Sequence, residues 1–459
     1  MRQESVRQSN IFGLLVSQHD KISREMKHMS EILDKHPELN ALVLQDMRVG
    51  NKKNPNSDGN KKNAGRHGLS AETILRCAIL KQGKGLSYIG LVHALGDSAS
   101  CAAFARLPTP VVPSKTVLHD TISAITDETW AAVNKVILNH AKVTGIEDGS
   151  KIRIDSTVVE SLIHEPSDNS LLWDSVRVMT RLLKEFNALP GAKQFDLRKQ
   201  AKTAKRRNHA IQNAKTNERR KELYKELVAI TYRVVASIKS AHAMSFQLHE
   251  NPLDIICWRS EVEHYLPLIA CVIDQCERRV FNDEKVPAAE KIFSIFEDHT
   301  DVIIKDRRGT NYGHKVNICA GNSSLILNVN VEDGNPADSK RFLPMLEQHI
   351  EQYGCAPQHV ACDGGYASAE NLAEAKSKGV TNMAFHKKRG LNVDDMCANK
   401  RTYRKLRNFR AGIESNISCL KRAFGWTRCT WRGIEHFRAY LWSAAVAYNL
   451  ALLARLSMS

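Results

Sequence analysis

Three acidic residues stand where phosphate chemistry could be done. Asp155 closes the run KIRID, Asp363 closes HVACD ahead of two glycines, and Glu414 sits in RNFRAGIESNISCLKRAFGW, residues Arg407–Trp426. Carboxylates are hard oxygen donors, which is what divalent magnesium requires when it must also hold phosphate oxygens. Each also has an ordinary reading taken singly: Asp-Gly is a common turn, a strand-closing aspartate is a cap or surface charge, and an Arg/Glu pair is a frequent feature of a solvated helix. Their company argues further. At about 100° per residue, Arg410, Glu414 and Lys421 fall within about 40° of one another on a helix. Ile413, Ile417, Leu420 and Phe424 form a second, apolar stripe beside them, so such a helix buries one flank and presents Glu414 at the edge of a groove.

The surrounding chain supplies elements to position these groups. In KIRIDSTVVES, Ile152 and Ile154 alternate with Arg153 and Asp155, the period-two pattern of a strand with Asp155 near its exposed end. TDVIIKD, HKVNICAG and SLILNVNVED predict further strands, the last two an antiparallel pair turning at Asn322 and Ser323. Asn335 and Pro336 open a helix running to about Tyr353, QHVACDGGYAS gives a short strand ending at Asp363, and a helix follows from Ser368 to Lys378. After the strand VTNMAF comes the basic loop HKKRGLN, in which Lys387, Lys388 and Arg389 are candidate phosphate contacts, their ordinary reading being plain surface charge. This is an α/β succession, and in such sheets chemistry collects at the carboxyl ends of strands.

The remainder is helical and basic. Residues 1–49 predict a helical arm and 50–68, rich in Asn, Lys and Gly, a flexible basic linker or loop. Over 69–148, Ser70 caps AETILRCAILKQ, glycines 83 and 85 break the chain before LSYIGLVHAL, and Pro108, Pro110 and Pro113 keep the next stretch extended. Ser114 then caps KTVLHDTISAI. That trihelical unit is a candidate DNA-binding domain, with Lys115, Thr116 and His119 in the first turn of its third helix. Residues 166–285 read as an α-helical insertion whose segment 193–225, including Arg206 and Arg207, carries a one-signed charge excess suited to tracking phosphates. Residues 431–456 form a long C-terminal helix whose apolar side closes the core.

With 66 Lys and Arg against 50 Asp and Glu, the 459-residue chain carries a net charge of +16, which favours a polyanionic partner. Nucleic acid leads and an anionic membrane is the alternative. A hydrophobic content of 42% excludes a disordered or fibrous chain. The first 30 residues lack a leader-peptide core and no run of about 18 apolar residues occurs, so the expectation is a cytoplasmic protein with no membrane partner. The 11 cysteines form no C-x-x-C pair, which argues against a structural zinc site.

These residues resemble the DDE transposases of bacterial insertion sequences. IDSTVVES is similar to the first-aspartate strand of that family, ACDGGYASAEN to the second-aspartate strand and turn, and RNFRAGIESNISCLKR to the glutamate segment. In many members that last segment reads Tyr, two residues, Arg, three residues, Glu, six residues, Lys. Arg410, Glu414 and Lys421 fit, while Arg407 holds the tyrosine position and Tyr403 lies one turn earlier. IHEPSDNSLLWDSVRVMTRLL, DRRGTNYGHKVNI and the C-terminal segment look most like the ISNCY group.

The resemblance implies a ribonuclease H-like mixed sheet over 149–165 and 286–426, interrupted by the helical insertion, preceded by the all-α domain and followed by a C-terminal helix at 427–459. It implies Asp155, Asp363 and Glu414 as catalytic ligands of two magnesium ions, replaceable by manganese, and Arg410 and Lys421 as contacts to transposon-end phosphates. The activity expected is binding of terminal inverted repeats, then DNA cleavage and strand transfer, by a nucleoid-associated bacterial protein acting as a homodimer or larger on double-stranded DNA. A catalytically inactive DNA-binding relic and a nuclease without strand transfer are the alternatives.

Overall fold

A computed structural model describes residues 21–50, 68–107, 112–304 and 309–458. The expected linker, apart from its ends, lies outside these residues, as do the first part of the N-terminal arm and Pro108 and Pro110. The chain divides into two compact units, residues 1–160 with 314–459 and residues 161–313.

Unit 1 begins with α1 (Lys21–Asp34), α2 (Glu38–Gly50), α3 (Ala71–Gly83), α4 (Tyr88–Asp97), α5 (Ala99–Ala105), α6 (Lys115–Ile122) and α7 (Asp127–Val143). Ser70 and Ser114 cap α3 and α6 as the sequence predicts, accepting from the backbone N–H groups of Thr73 and Val117. Yet α3 is buried from Ala71 to Gln82, charged residues included. Its polar groups are answered internally: Arg76 donates to Glu72, Ser30 and Asp34, while the Lys81 ammonium lies 4.8 Å from the Tyr88 ring centre and 5.7 Å from that of Trp431. Burial pulls the Lys81 ammonium down to about 8. The first helix of the trihelical unit is therefore a core helix, and one continuous hydrophobic cluster runs from α1 through the sheet to the C-terminal helix.

β1 (Lys151–Glu160) follows, and unit 2 then opens with α8 (Asp168–Phe186), α9 (Arg198–Gln212), α10 (Asn217–Ser245) and α11 (Pro252–Val280). Leu172, Phe186, Leu227, Val234 and Ile269 fill a core of its own. The Trp258 indole donates to the Leu182 carbonyl, and Arg279 pairs with Asp168 at 2.9 Å. β2 (Asp301–Ile304) pairs antiparallel with Thr310–Gly313, the start of β3 (Thr310–Ala320).

Back in unit 1, β3 pairs antiparallel with β4 (Ile326–Val331), and α12 (Phe342–Tyr353), β5 (His359–Cys362), α13 (Ala369–Ser377) and β6 (Asn382–Phe385) complete the α/β succession. A short 3-10 turn, Asp338–Arg341, precedes α12, so the helix starts later than Asn335 and Pro336 suggest. The six strands form one mixed sheet of order β2-β3-β1-β5-β6 with β4 also on β3, and β1, β5 and β6 run parallel. α14 (Val393–Met396), α15 (Lys400–Ala423) and α16 (Ile434–Leu456) close the chain. α16 is long and apolar enough to cross a membrane, but 78% of its most apolar window is buried within the protein, the fate of a core helix. It packs on α1, α3, α7 and β4.

Candidate active site

Strand register places the two aspartates. Ile154 pairs with Cys362 and Cys362 with Phe385, so Asp155 and Asp363 follow the last paired row on adjacent parallel strands. The His386 N–H donates to the Cys362 carbonyl at 3.0 Å, which brings His386 into the same row beside Asp363. The Nδ1 atom of His386 is buried without a hydrogen-bond partner.

The Asp363 turn needs both glycines after it. A Cβ on Gly364 would lie 2.6 Å from the Lys387 Cβ, and one on Gly365 would lie 2.5 Å from Asp338 Oδ2. Asp338, the nearer of two other carboxylates after strands, is thus a brace behind the turn, paired with the buried Lys315. Asp333, the second, is exposed and pairs with Arg438 at 3.3 Å.

Glu414 reaches the strand ends from α15, whose rotation is fixed by a clamp that the sequence reading passed over. Arg153 lies two residues before Asp155 on the same face of β1, and its buried guanidinium donates to the Phe409 carbonyl, Ser324 Oγ and Asn416 Oδ1 at 3.1, 2.7 and 2.8 Å. Asn416 in turn donates to the Ser324 carbonyl and Tyr448 hydroxyl. The helix comes this close because residue 412 is glycine: a Cβ there would collide with Arg153 Nη1. A glycine inside a helix weakens it by about 1 kcal/mol, so its presence mid-helix was the available signal of a close approach. The apolar stripe behaves as read, with Ile413, Leu420 and Phe424 buried and Ile417 packed against the same core.

One cation joins the three carboxylates. Arg410 Nη2 lies 2.9 Å from Asp155 Oδ2 and 3.5 Å from Asp363 Oδ1, while Nη1 lies 3.1 Å from Glu414 Oε1. The Arg410 side chain is 11% exposed and Asp155 14%, against 40% for Asp363 and 65% for Glu414, so the cluster grades from a buried floor to an open rim. Burial works to lower the Arg410 guanidinium, but Asp155, Asp363 and Glu414 together outweigh it and raise it. Burial likewise raises the Asp155 carboxyl, opposed by the Ser156 N–H and Arg410 and aided by Asp363.

A carboxyl with a higher pKa folded than unfolded supports the fold at acid pH, and that support is lost as pH rises through the folded value. Asp155→Asn removes the burden of ionising this group. It is expected to raise the melting temperature at neutral pH, with the gain shrinking as pH falls toward about 4, as thermal melts across that range would read.

A divalent ion's fit depends on chemistry and spacing. Three carboxylates are hard anionic donors of the kind a divalent ion takes, and here they converge on the Arg410 guanidinium. In this arrangement they spread around the arginine, and no cluster of three or more His, Cys, Asp or Glu among the described residues is spaced to hold a metal. Arg410, which the resemblance implies as a phosphate contact, here faces the three carboxylates.

The other predicted contacts distribute widely. Lys387 packs against the Asp363 turn, Lys388 lies 5.9 Å over the Tyr403 ring and Arg389 is exposed. Lys421 is half-buried on α15, and Lys115 and His119 are exposed on α6. In unit 2, Arg206 is exposed and Arg207 is paired with Glu226.

Residues 298–450 match the family model described as the transposase DDE domain. The match covers Asp363, Arg410, Glu414 and Lys421 and begins after Asp155. No curated protein and no solved structure matches the chain.

Proposed function

Since the chain carries the domain of a DDE-type transposase, we propose that it binds the terminal inverted repeats of its own insertion sequence and then cuts and joins DNA strands with Asp155, Asp363 and Glu414. The observation that carries this reading is the convergence of the three carboxylates, from two adjacent parallel strands just past their last paired row and from one helix, on a single cationic position. The strand order, three antiparallel strands flanking β1 and two parallel strands on its other side, supports a ribonuclease H-like sheet.

Asp155, Asp363 and Glu414 would hold magnesium, with manganese as a substitute; when bound, such ions neutralise phosphate charge and favour attack by water or a 3′-hydroxyl. The rest falls to the chain. The Arg153–Gly412 clamp sets Glu414 opposite the strand ends, and Lys387, Lys421 and the neighbouring Lys388 and Arg389 offer cations to the DNA backbone. In cleavage, water adds to phosphorus and the bond to the 3′-oxygen breaks, freeing a 3′-hydroxyl. In joining, that hydroxyl adds to a target phosphorus and displaces the target's 3′-oxygen, so one phosphodiester replaces another without a protein-linked intermediate.

Recognition of the ends falls to the exposed first turn of α6, with Lys115, Thr116 and His119, and phosphate tracking to the basic helices of unit 2 around Arg206. Two ends and two sites favour a homodimer or larger assembly on DNA, in the bacterial cytoplasm where the DNA lies, and the sequence likeness favours the ISNCY group. Purified protein with magnesium and labelled DNA from the borders of its own gene tests the reading. Joined products are expected; cleavage without joining would reduce the activity to a nuclease, and retention without cleavage would make the chain a DNA-binding relic.

A further inference from the structure

Arg410 answers all three carboxylates at once, leaving them a net charge of about −2 instead of −3. Its guanidinium and a divalent ion cannot occupy one position, since they would overlap and repel. Two features mark this seat as exchangeable. Arg410 sits on a long flexible side chain beside the exposed Glu414, and its Nε is buried without a hydrogen-bond partner. A phosphate accepts from the Nε and Nη edge of arginine with two parallel bonds, so a DNA phosphate offers Arg410 what the carboxylates leave unmet.

We propose that Arg410 is a positioning residue with two seats: without DNA it holds Asp155, Asp363 and Glu414 together and keeps divalent ions from them, and an arriving DNA phosphate draws it away so that ions enter only with DNA. This rests on the reading of those carboxylates as the metal ligands. Its consequence is that a free chain carries no armed nuclease centre, and that metal and DNA bind with positive linkage.

The test reads metal binding, not turnover. Full-length protein without DNA is titrated with Mn2+ while free Mn2+ is followed by electron paramagnetic resonance. Arg410→Ala is expected to bind about tenfold more tightly than wild type, and Arg410→Lys, which keeps a cation but loses the fork, to fall between. A short mixed-sequence duplex, its own Mn2+ uptake measured in parallel, should tighten binding by wild type more than by Arg410→Ala, since only wild type has Arg410 to displace.

Equal affinity of wild type and a folded Arg410→Ala chain, checked by circular dichroism, overturns the proposal. So does equal tightening of both by DNA. If cleavage still depends on Asp155 in that event, the assigned function stands while the two-seat role falls. If Asp155→Asn/Arg410→Ala binds Mn2+ as tightly as Arg410→Ala, the ions lie elsewhere and both readings fail.

Discussion

Alanine at Asp155, Asp363 or Glu414 is expected to reduce cleavage of end DNA by at least about a thousandfold while the protein remains on DNA. The three differ in what their loss does to the fold. Asp155 lies within β1 just past its last row paired with β5, Asp363 follows the end of β5, and Glu414 is largely exposed, so none carries the core. Removing one still leaves Arg410 two carboxylate partners, which avoids stranding a buried cation. Asn or Gln at the same positions should fail as well, because they keep the shape and lose the anionic donor. Asp333, exposed and paired with Arg438 instead of Arg410, provides the control, and its alanine variant should cut normally. Cleavage and retention are read on the same labelled DNA; cutting that survives in one of the three variants removes that residue from the site.

Gly412→Ala should damage stability and cleavage together. Alanine improves a helix interior by about 1 kcal/mol over glycine. Against that, the new Cβ meets Arg153 Nη1, and the guanidinium is pinned by Phe409, Ser324 and Asn416. Hydrogen bonds to a charged group are worth about 1.5 to 3 kcal/mol each, so losing even two outweighs the helical gain. A net loss of about 2 to 4 kcal/mol in denaturant melts is expected, and displacement of Glu414 from the strand ends should slow cleavage at least about tenfold. The mechanism is checked in the background of Arg153→Ala: with the guanidinium gone, Gly412→Ala should become neutral or stabilising. Additive losses would show that Arg153 is not what the helix approaches.

Much of this architecture could be read from local pattern. β5 and β6 were visible because short apolar runs end in Asp-Gly or a basic loop, β1 because Ile152 and Ile154 alternate with Arg153 and Asp155, although it runs on past Asp155 to Glu160, and α15 because its apolar stripe recurs at helical spacing. The two aspartates and the glutamate stood out only together, in a basic chain and in the order of a known motif, since each taken singly has an ordinary reading. What was hidden depends on partners distant in sequence. Arg153 pairs with residues more than 170 positions away, so nothing near it distinguishes it from a surface arginine. α3 carries Glu72, Arg76 and Lys81 like a solvated helix, and only the folded chain brings Asp34, Ser30, Tyr88 and Trp431 to satisfy the two cations. The pairing of Arg410 with Glu414 is local and was readable from their spacing, whereas its pairing with Asp155 spans 255 positions and was not.

α16 gives the molecule a built-in order of assembly. It is synthesised after every element it packs against, and α1, α3, α7 and β4 all bury apolar side chains in the cluster it shares. Until it emerges, unit 1 has a sheet edge and helices with no completed interior, and Asn449 is missing from its bonds to the Ile326 backbone and Asn134 side chain. A chain interrupted before Ile434 by a stop codon or shifted frame would still contain Asp155, Asp363 and Glu414, yet would lack the helix that makes their unit fold. Such products should be cleared by proteases, so partial gene copies would not supply a poisoned subunit that competes with intact protein for DNA.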